Sequence, residues 1–138
     1  MKLIFATSNE HKLREVRSLA SENIEIIGLK GIGFEEELPE TQATIEGNSL
    51  QKAEYLSKKI NMDCFSEDTG LIIESLNGEP GVFSARYAGE HANFNDNIQL
   101  VLKKMKGIGN RKAYFKTVIT YFTSNNSRGG GSMAGCAK

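Results

Sequence analysis

The sequence predicts an α/β domain, a mixed β-sheet with flanking helices. Three features predict it. A short apolar run opens the chain, an amphipathic stretch follows at once, and a long segment near residue 113 alternates apolar and polar residues. The first pair is a strand feeding a helix, and the third is a half-exposed strand.

"KLIFA" (2–6) reads as a buried strand. "NEHKLREVRSLAS" carries Leu13, Val16, Leu19 and Ala20 at helical spacing, with Ser8 or Asn9 as the cap. "IEIIGL" (24–29) is a second strand. Residues 30–43 hold two glycines, three successive glutamates and Pro39, and read as a loop. A second helix covers 44–60, with Ile45, Leu50, Ala53, Leu56 and Ile60 on one side. "DCFSED" leads into a strand that ends at Asp68, and "GLIIESL" is a separate strand before the turn "NGEPG". "NFNDNIQLVLKKM" is a third helix capped by Asn93 or Asn95, and "KAYFKTVITYFTS" is the long strand. No internal repeat is present.

The 138 residues suffice for one ordinary domain, and its core can be substantial. Lys+Arg and Asp+Glu are both 17, so no global basic field draws a nucleic-acid backbone, although local basic groups can still hold single phosphates. No segment approaches the ~20 apolar residues of a membrane span. The apolar run Leu3 to Ala6 is too short for a signal peptide. Cys64 and Cys136 form no metal or redox pattern. A reduced, cytoplasmic setting is therefore expected, with Cys64 as core filler.

The final segment, "SNNSRGGGSMAGCAK" (124–138), is rich in Gly, Ser and Asn and lacks periodicity. No packed element is expected there. The division expected is a domain over 1–123 and a disordered or non-native tail over 124–138. The run "GGGSM" resembles a linker, and the chain reads as cut short.

The chemical candidates are polar residues near predicted strand ends and helix starts. Glu67 and Asp68 stand side by side, and two near carboxylates repel unless a cation lies between them. Mg²⁺ suits that place, because it takes oxygen ligands and bridges to phosphates. The other reading is a solvated turn. Glu40 follows a proline just before the second helix and offers a third carboxylate. Asn48 and Lys52 share one face of that helix, and Lys52 is either a phosphate-binding point charge or a surface lysine. The turn "ATSNEHK" (6–12), containing Thr7, Ser8, Asn9 and Lys12, puts free backbone N–H groups at a helix N-terminus. It is an anion site or merely a capped helix. Arg86 forks onto a phosphate or braces a loop. No nucleophile elbow or Ser-His-Asp pattern is present.

Together, "ATSNEHKLREV", "ETQATIEGNSLQKA" and "SEDTGLIIESLNGEPGVFSARYAG" closely resemble, in order and distance, the inosine/xanthosine triphosphate pyrophosphatase family. The resemblance covers residues 1 to about 122, and its third motif is highly specific. It implies an elongated fold with a central cleft, usually a homodimer. It also implies Mg²⁺-dependent hydrolysis of ITP, dITP and XTP to the monophosphate and pyrophosphate. Carried over by position, Glu40 and Asp68 are metal ligands with Glu67 assisting, and Asp68 also orients or deprotonates the attacking water. Ser8, Asn9, Lys12, Asn48, Lys52 and Thr69 hold the triphosphate.

The family's later segments, which read the purine base, do not follow Phe122. Base selectivity is therefore expected to be weakened. The long last strand is expected to lack a partner on one side, which favours strand exchange or tight dimerisation. A polyphosphate-binding module without turnover is one alternative. A Maf-like nucleotide pyrophosphatase is another, and the "SARYAG" segment speaks against it.

Overall fold

Ile4 and Phe5, at the centre of the opening apolar run, are fully buried in the first strand of a six-stranded sheet. The structure is a computed structural model and describes residues 1–124 and 132–137. Its elements are β1 (Lys2–Phe5), α1 (Glu10–Leu19), β2 (Glu25–Ile27), α2 (Ile45–Ile60), β3 (Cys64–Ile73), β4 (Pro80–Gly81), α3 (Phe94–Met105), β5 (Ala113–Phe122) and β6 (Ser132–Ala137). The strand order is β2-β1-β3-β5-β6, with β4 paired to β3. β1 runs parallel to both β2 and β3, and β5 runs antiparallel to β3 and to β6. The mixed α/β architecture predicted above is thus present.

Strand alternation divides the core in two. Ile4 and Cys64 face α2 and pack with Ala53 and Leu56. Phe5 and Phe65 face α1 and pack with Leu13 and Ile26. The Phe5 and Phe65 rings stack with centroids 4.4 Å apart, and burying each stabilises the fold by roughly 1.5–3 kcal/mol. Cys64 is core filler as expected: its thiol donates to the Ala53 carbonyl, and burial pushes its pKa up to about 12.

The helix starts follow their capping chemistry. Asn9 caps α1 through its side-chain oxygen, Thr44 caps α2, and Asn93 with Asp96 forms a reciprocal capping box on α3.

Three expectations need correction. First, "DCFSED" and "GLIIESL" are not two strands. β3 runs unbroken from Cys64 to Ile73, because β5 pairs with it all the way from Cys64 opposite Phe122 to Ile73 opposite Ala113. Gly70 keeps that strand extended while β4 crosses it: a Cβ there would lie 2.3 Å from the Gly81 carbonyl oxygen. Second, Leu50 is exposed, and the buried face of α2 instead carries the polar Asn48, Ser49, Lys52 and Ser57 beside its apolar residues. Third, Ser132–Ala137, expected to hold no element, forms β6 along the edge of β5 predicted to be open. A strand edge offers backbone donors and acceptors to any extended segment, so a run without apolar periodicity can occupy it. Pairing on both sides of β5 removes the premise on which strand exchange was expected. The rest of the predicted tail, residues 125–131 and 138, lies outside the described residues.

No helix among the described residues is long and apolar enough to cross a membrane.

Candidate active site

β1 stops at Phe5, whereas its parallel neighbour β3 continues beyond Phe65. Between Phe65 and the short β4 pairing at Leu71 and Ile72, β3 has no strand partner on the β1 side, and a cleft of about 320 Å³ opens over the end of β1. Glu67 and Asp68 come just after Phe65 and Ser66 in β3. The two acids therefore sit inside one strand and beyond the end of another, which is how a mid-strand position comes to face a crevice.

The floor of the cleft is the turn from β1 into α1. Thr7 Oγ1 accepts from the Asn9 amide at 3.1 Å, and Asn9 Oδ1 accepts from the His11 and Lys12 amides at 3.0 and 3.2 Å. Asn9 is thus engaged as a cap, which favours the capped-helix reading for its side chain. Ser8 is exposed at the mouth. Lys12, one turn into α1, reaches across to form an ion pair with Glu67.

The other wall is α2 and the loop before it. Gln42 donates its amide to Asn48 Oδ1 at 2.8 Å. Thr41 and Gln51 exchange two hydrogen bonds, of 2.9 Å and 2.7 Å. These contacts fasten the loop to the helix and place Glu40 at the cleft. Asn48 is buried, with its carboxamide oxygen turned to the loop, so it holds Glu40's segment in place.

Lys52 is the centre of this wall. Its Nζ lies 2.8 Å from the Glu67 carbonyl oxygen, 2.9 Å from Glu40 Oε1 and 3.7 Å from Asp68 Oδ1. Glu40 and Asp68, distant in sequence, converge on one nitrogen. Glu67 does not join them through its side chain. Alternation along β3 sends the Glu67 carboxylate towards α1 and Lys12, and the Asp68 carboxylate towards α2 and Lys52. The adjacent pair is therefore split between two faces.

Burial raises the Asp68 pKa above its ordinary value. Lys52 opposes that shift, and the charges of Glu40 and Glu67 reinforce it. On the same face of β3, two residues before Asp68, Ser66 joins a buried hydroxyl cluster. Ser49 Oγ contacts Thr120 Oγ1 at 2.8 Å, Ser66 Oγ at 3.2 Å and the Val118 carbonyl at 3.2 Å. Ser66 also donates to the Ser49 carbonyl. This cluster locks α2 onto β3 and β5, and so fixes Lys52 against Asp68. Helical spacing alone did not reveal it, because it depends on which residues of β5 meet α2.

Thr69 sits on the α1 face, where it donates to Glu67 Oε2 at 2.8 Å and meets Thr117 Oγ1 at the same distance. Arg86 is not brought to the cleft. It ends a short 3₁₀ turn, Ser84–Arg86, with its guanidinium 5.2 Å from the Phe83 ring centroid.

Among the described residues no group of three or more His, Cys, Asp or Glu side chains converges as a complete metal cage. Glu40 and Asp68 instead flank one cationic position, which the Lys52 ammonium holds. That donor set fits Mg²⁺, an ion bound through one or two carboxylates with water and phosphate oxygens completing its shell.

Residues 3–136 match the family model described as Ham1 family. The dITP/XTP pyrophosphatase of Flavobacterium johnsoniae is 51% identical over 120 residues, which is 87% of this chain and 62% of that protein. The dITP/XTP pyrophosphatase of Porphyromonas gingivalis is 49% identical over 119 residues, 86% of this chain and 61% of the other. The chain thus spans less than two thirds of the length of these relatives. Among solved structures, the Staphylococcus aureus Ham1 protein superposes with a TM-score of 0.85 at 29% identity, over 99% of this chain and 70% of that one. A HAM1 protein from Coxiella burnetii gives 0.86 at 30% identity, with the same coverage.

Proposed function

Because this chain belongs to the Ham1 family, we propose that it hydrolyses non-canonical purine nucleoside triphosphates, namely ITP, dITP and XTP, to the monophosphate and pyrophosphate. The observation that carries the proposal is the convergence of Glu40 and Asp68 on Lys52 beside a helix N-terminus bearing Lys12.

In this proposal the triphosphate lies in the cleft over β1. The backbone N–H groups of the Ser8–Lys12 turn and the positive end of α1 receive one end of the phosphate chain. Lys12 and Lys52 neutralise charge that builds on the departing pyrophosphate. Asp68 accepts a proton from the attacking water. The Lys52 ammonium, 3.7 Å away, keeps this carboxylate oriented. Mg²⁺, held by Glu40 and Asp68, supplies charge neutralisation on the phosphates and acidifies bound water when present. Thr69 and Asn48 act by holding Glu67 and the Glu40 loop. Arg86, which does not line the cleft, is given no phosphate contact in this proposal. A homodimer in the cytoplasm completes the proposal.

The test is pyrophosphate release from ITP, dITP and XTP with Mg²⁺, by wild type and Asp68→Asn. Release that Asp68→Asn abolishes supports the enzyme. Nucleotide binding without release by the wild-type chain would instead make it a polyphosphate-binding module.

A further inference from the structure

We propose that Lys52 is the resident counter-ion of Glu40 and Asp68, closing that pair to a free divalent cation until a polyphosphate draws the ammonium away. The inference rests on the metal-assisted function proposed above and adds a rule of entry to it.

An ammonium has three N–H donors. Those of Lys52 face three acceptors: the Glu67 carbonyl at 2.8 Å, Glu40 Oε1 at 2.9 Å and Asp68 Oδ1 at 3.7 Å. The Glu67 carbonyl belongs to the paired strand β3, so one acceptor cannot move aside. The Lys52 side chain is only 10% exposed, and water screens these contacts poorly. Across the strand Lys12 is committed to Glu67. Every lysine expected to hold phosphate is thus bound to an acid expected at the metal.

A cation entering alone must displace an ammonium from the carboxylates. A polyphosphate entering alone must pull that ammonium from the same carboxylates and leave them bare. When both enter, the cation takes the acids and the phosphates take the lysines. Each ligand removes the other's obstacle, which is positive coupling and is necessarily reciprocal. The species admitted is therefore the cation–polyphosphate complex, in preference to either ion separately.

Two measurements on the full chain test this. Mn²⁺ binding without nucleotide is followed by electron paramagnetic resonance for wild type, Lys52→Met, Lys52→Gln and Glu40→Gln. Removing the counter-ion is expected to tighten Mn²⁺ binding roughly ten-fold, the worth of a charged hydrogen bond. Inorganic tripolyphosphate binding in EDTA is followed by calorimetry for wild type and Glu40→Gln. Glu40 is 40% exposed, so this variant keeps the fold. It frees Lys52 in part and is expected to bind the metal-free anion several-fold tighter. Unchanged affinities in both measurements would overturn the rule of entry. If Mn²⁺ binds wild type and the Lys52 variants equally, and Glu40→Gln weakens it, the metal pair stands and the counter-ion role is wrong. If Glu40→Gln has no effect on Mn²⁺ at all, the metal pair itself fails, and this inference with it.

Discussion

The two faces of β3 carry the same kind of contact in opposite settings. On the α2 face, Lys52 meets Glu40 and Asp68, and the helix that carries it is fastened by the buried hydroxyls of Ser49, Ser66 and Thr120. On the α1 face, Lys12 meets Glu67 beside Thr69 and Thr117, with the Lys12 side chain 41% exposed. The sequence shows two lysines and three acids without ranking them. Burial ranks them. A screened pair contributes about 0–1 kcal/mol, whereas breaking a buried pair leaves a charge that the interior cannot solvate. The α2 face therefore has fixed geometry and a perturbed acid, and the α1 face has adjustable charge.

The largest effect that separates the faces is expected from Asp68→Asn. Pyrophosphate release should fall about 100-fold or more, since the variant removes the proposed base and cation ligand. Its effect on stability should depend on pH. The folded Asp68 pKa lies above its unfolded value, so the folded state holds the proton more tightly than the unfolded state. The resulting contribution is fully present below the ordinary carboxylate range and is lost as pH rises through the raised value. In metal-free buffer wild type should therefore gain stability relative to the variant as pH falls through the raised value. Thermal melts across pH check this.

A smaller contrast compares two threonines of β5. Thr120→Val removes the hydroxyl 2.8 Å from Ser49 in the buried cluster and should cost about 1–2 kcal/mol in urea unfolding. Thr117→Val removes the hydroxyl that meets exposed Thr69 and should stay within about 0.5 kcal/mol. Equal costs would erase the distinction between the faces.

Lys12→Met should change stability by less than about 1 kcal/mol, and by less still at high salt. Its effect should appear in KM for the triphosphate.

Much of the scaffold was legible because it depends on local pattern. The period of Leu13, Val16 and Leu19 gives α1, and Asn9, Thr44 and Asn93 mark helix starts through side-chain oxygens. The continuity of β3 was not legible, because "TG" after Asp68 resembles a strand break. It takes the pairing with β5 and the close approach of Gly81 to show why Gly70 belongs inside a strand. β6 was hidden for a related reason: edge pairing uses backbone groups and leaves no side-chain period to read. At the site, Glu40, Asp68, Lys12 and Lys52 were nameable from motif spacing. Their cross-pairing was not, since alternation along β3 decides which lysine each acid meets. Arg86, singled out beside the same motif, lies away from the cleft on a turn stacked over Phe83.

The central claim is that Glu40 and Asp68 share one divalent cation with the nucleotide's phosphates. Anomalous scattering from crystals grown with Mn²⁺ and a non-hydrolysable ITP analogue tests it most directly. A single manganese peak bonded to both carboxylates and to phosphate oxygen, with Lys52 turned onto the phosphates, is the predicted result. A nucleotide in the cleft with manganese elsewhere, and Lys52 still seated on Glu40 and Asp68, would contradict it.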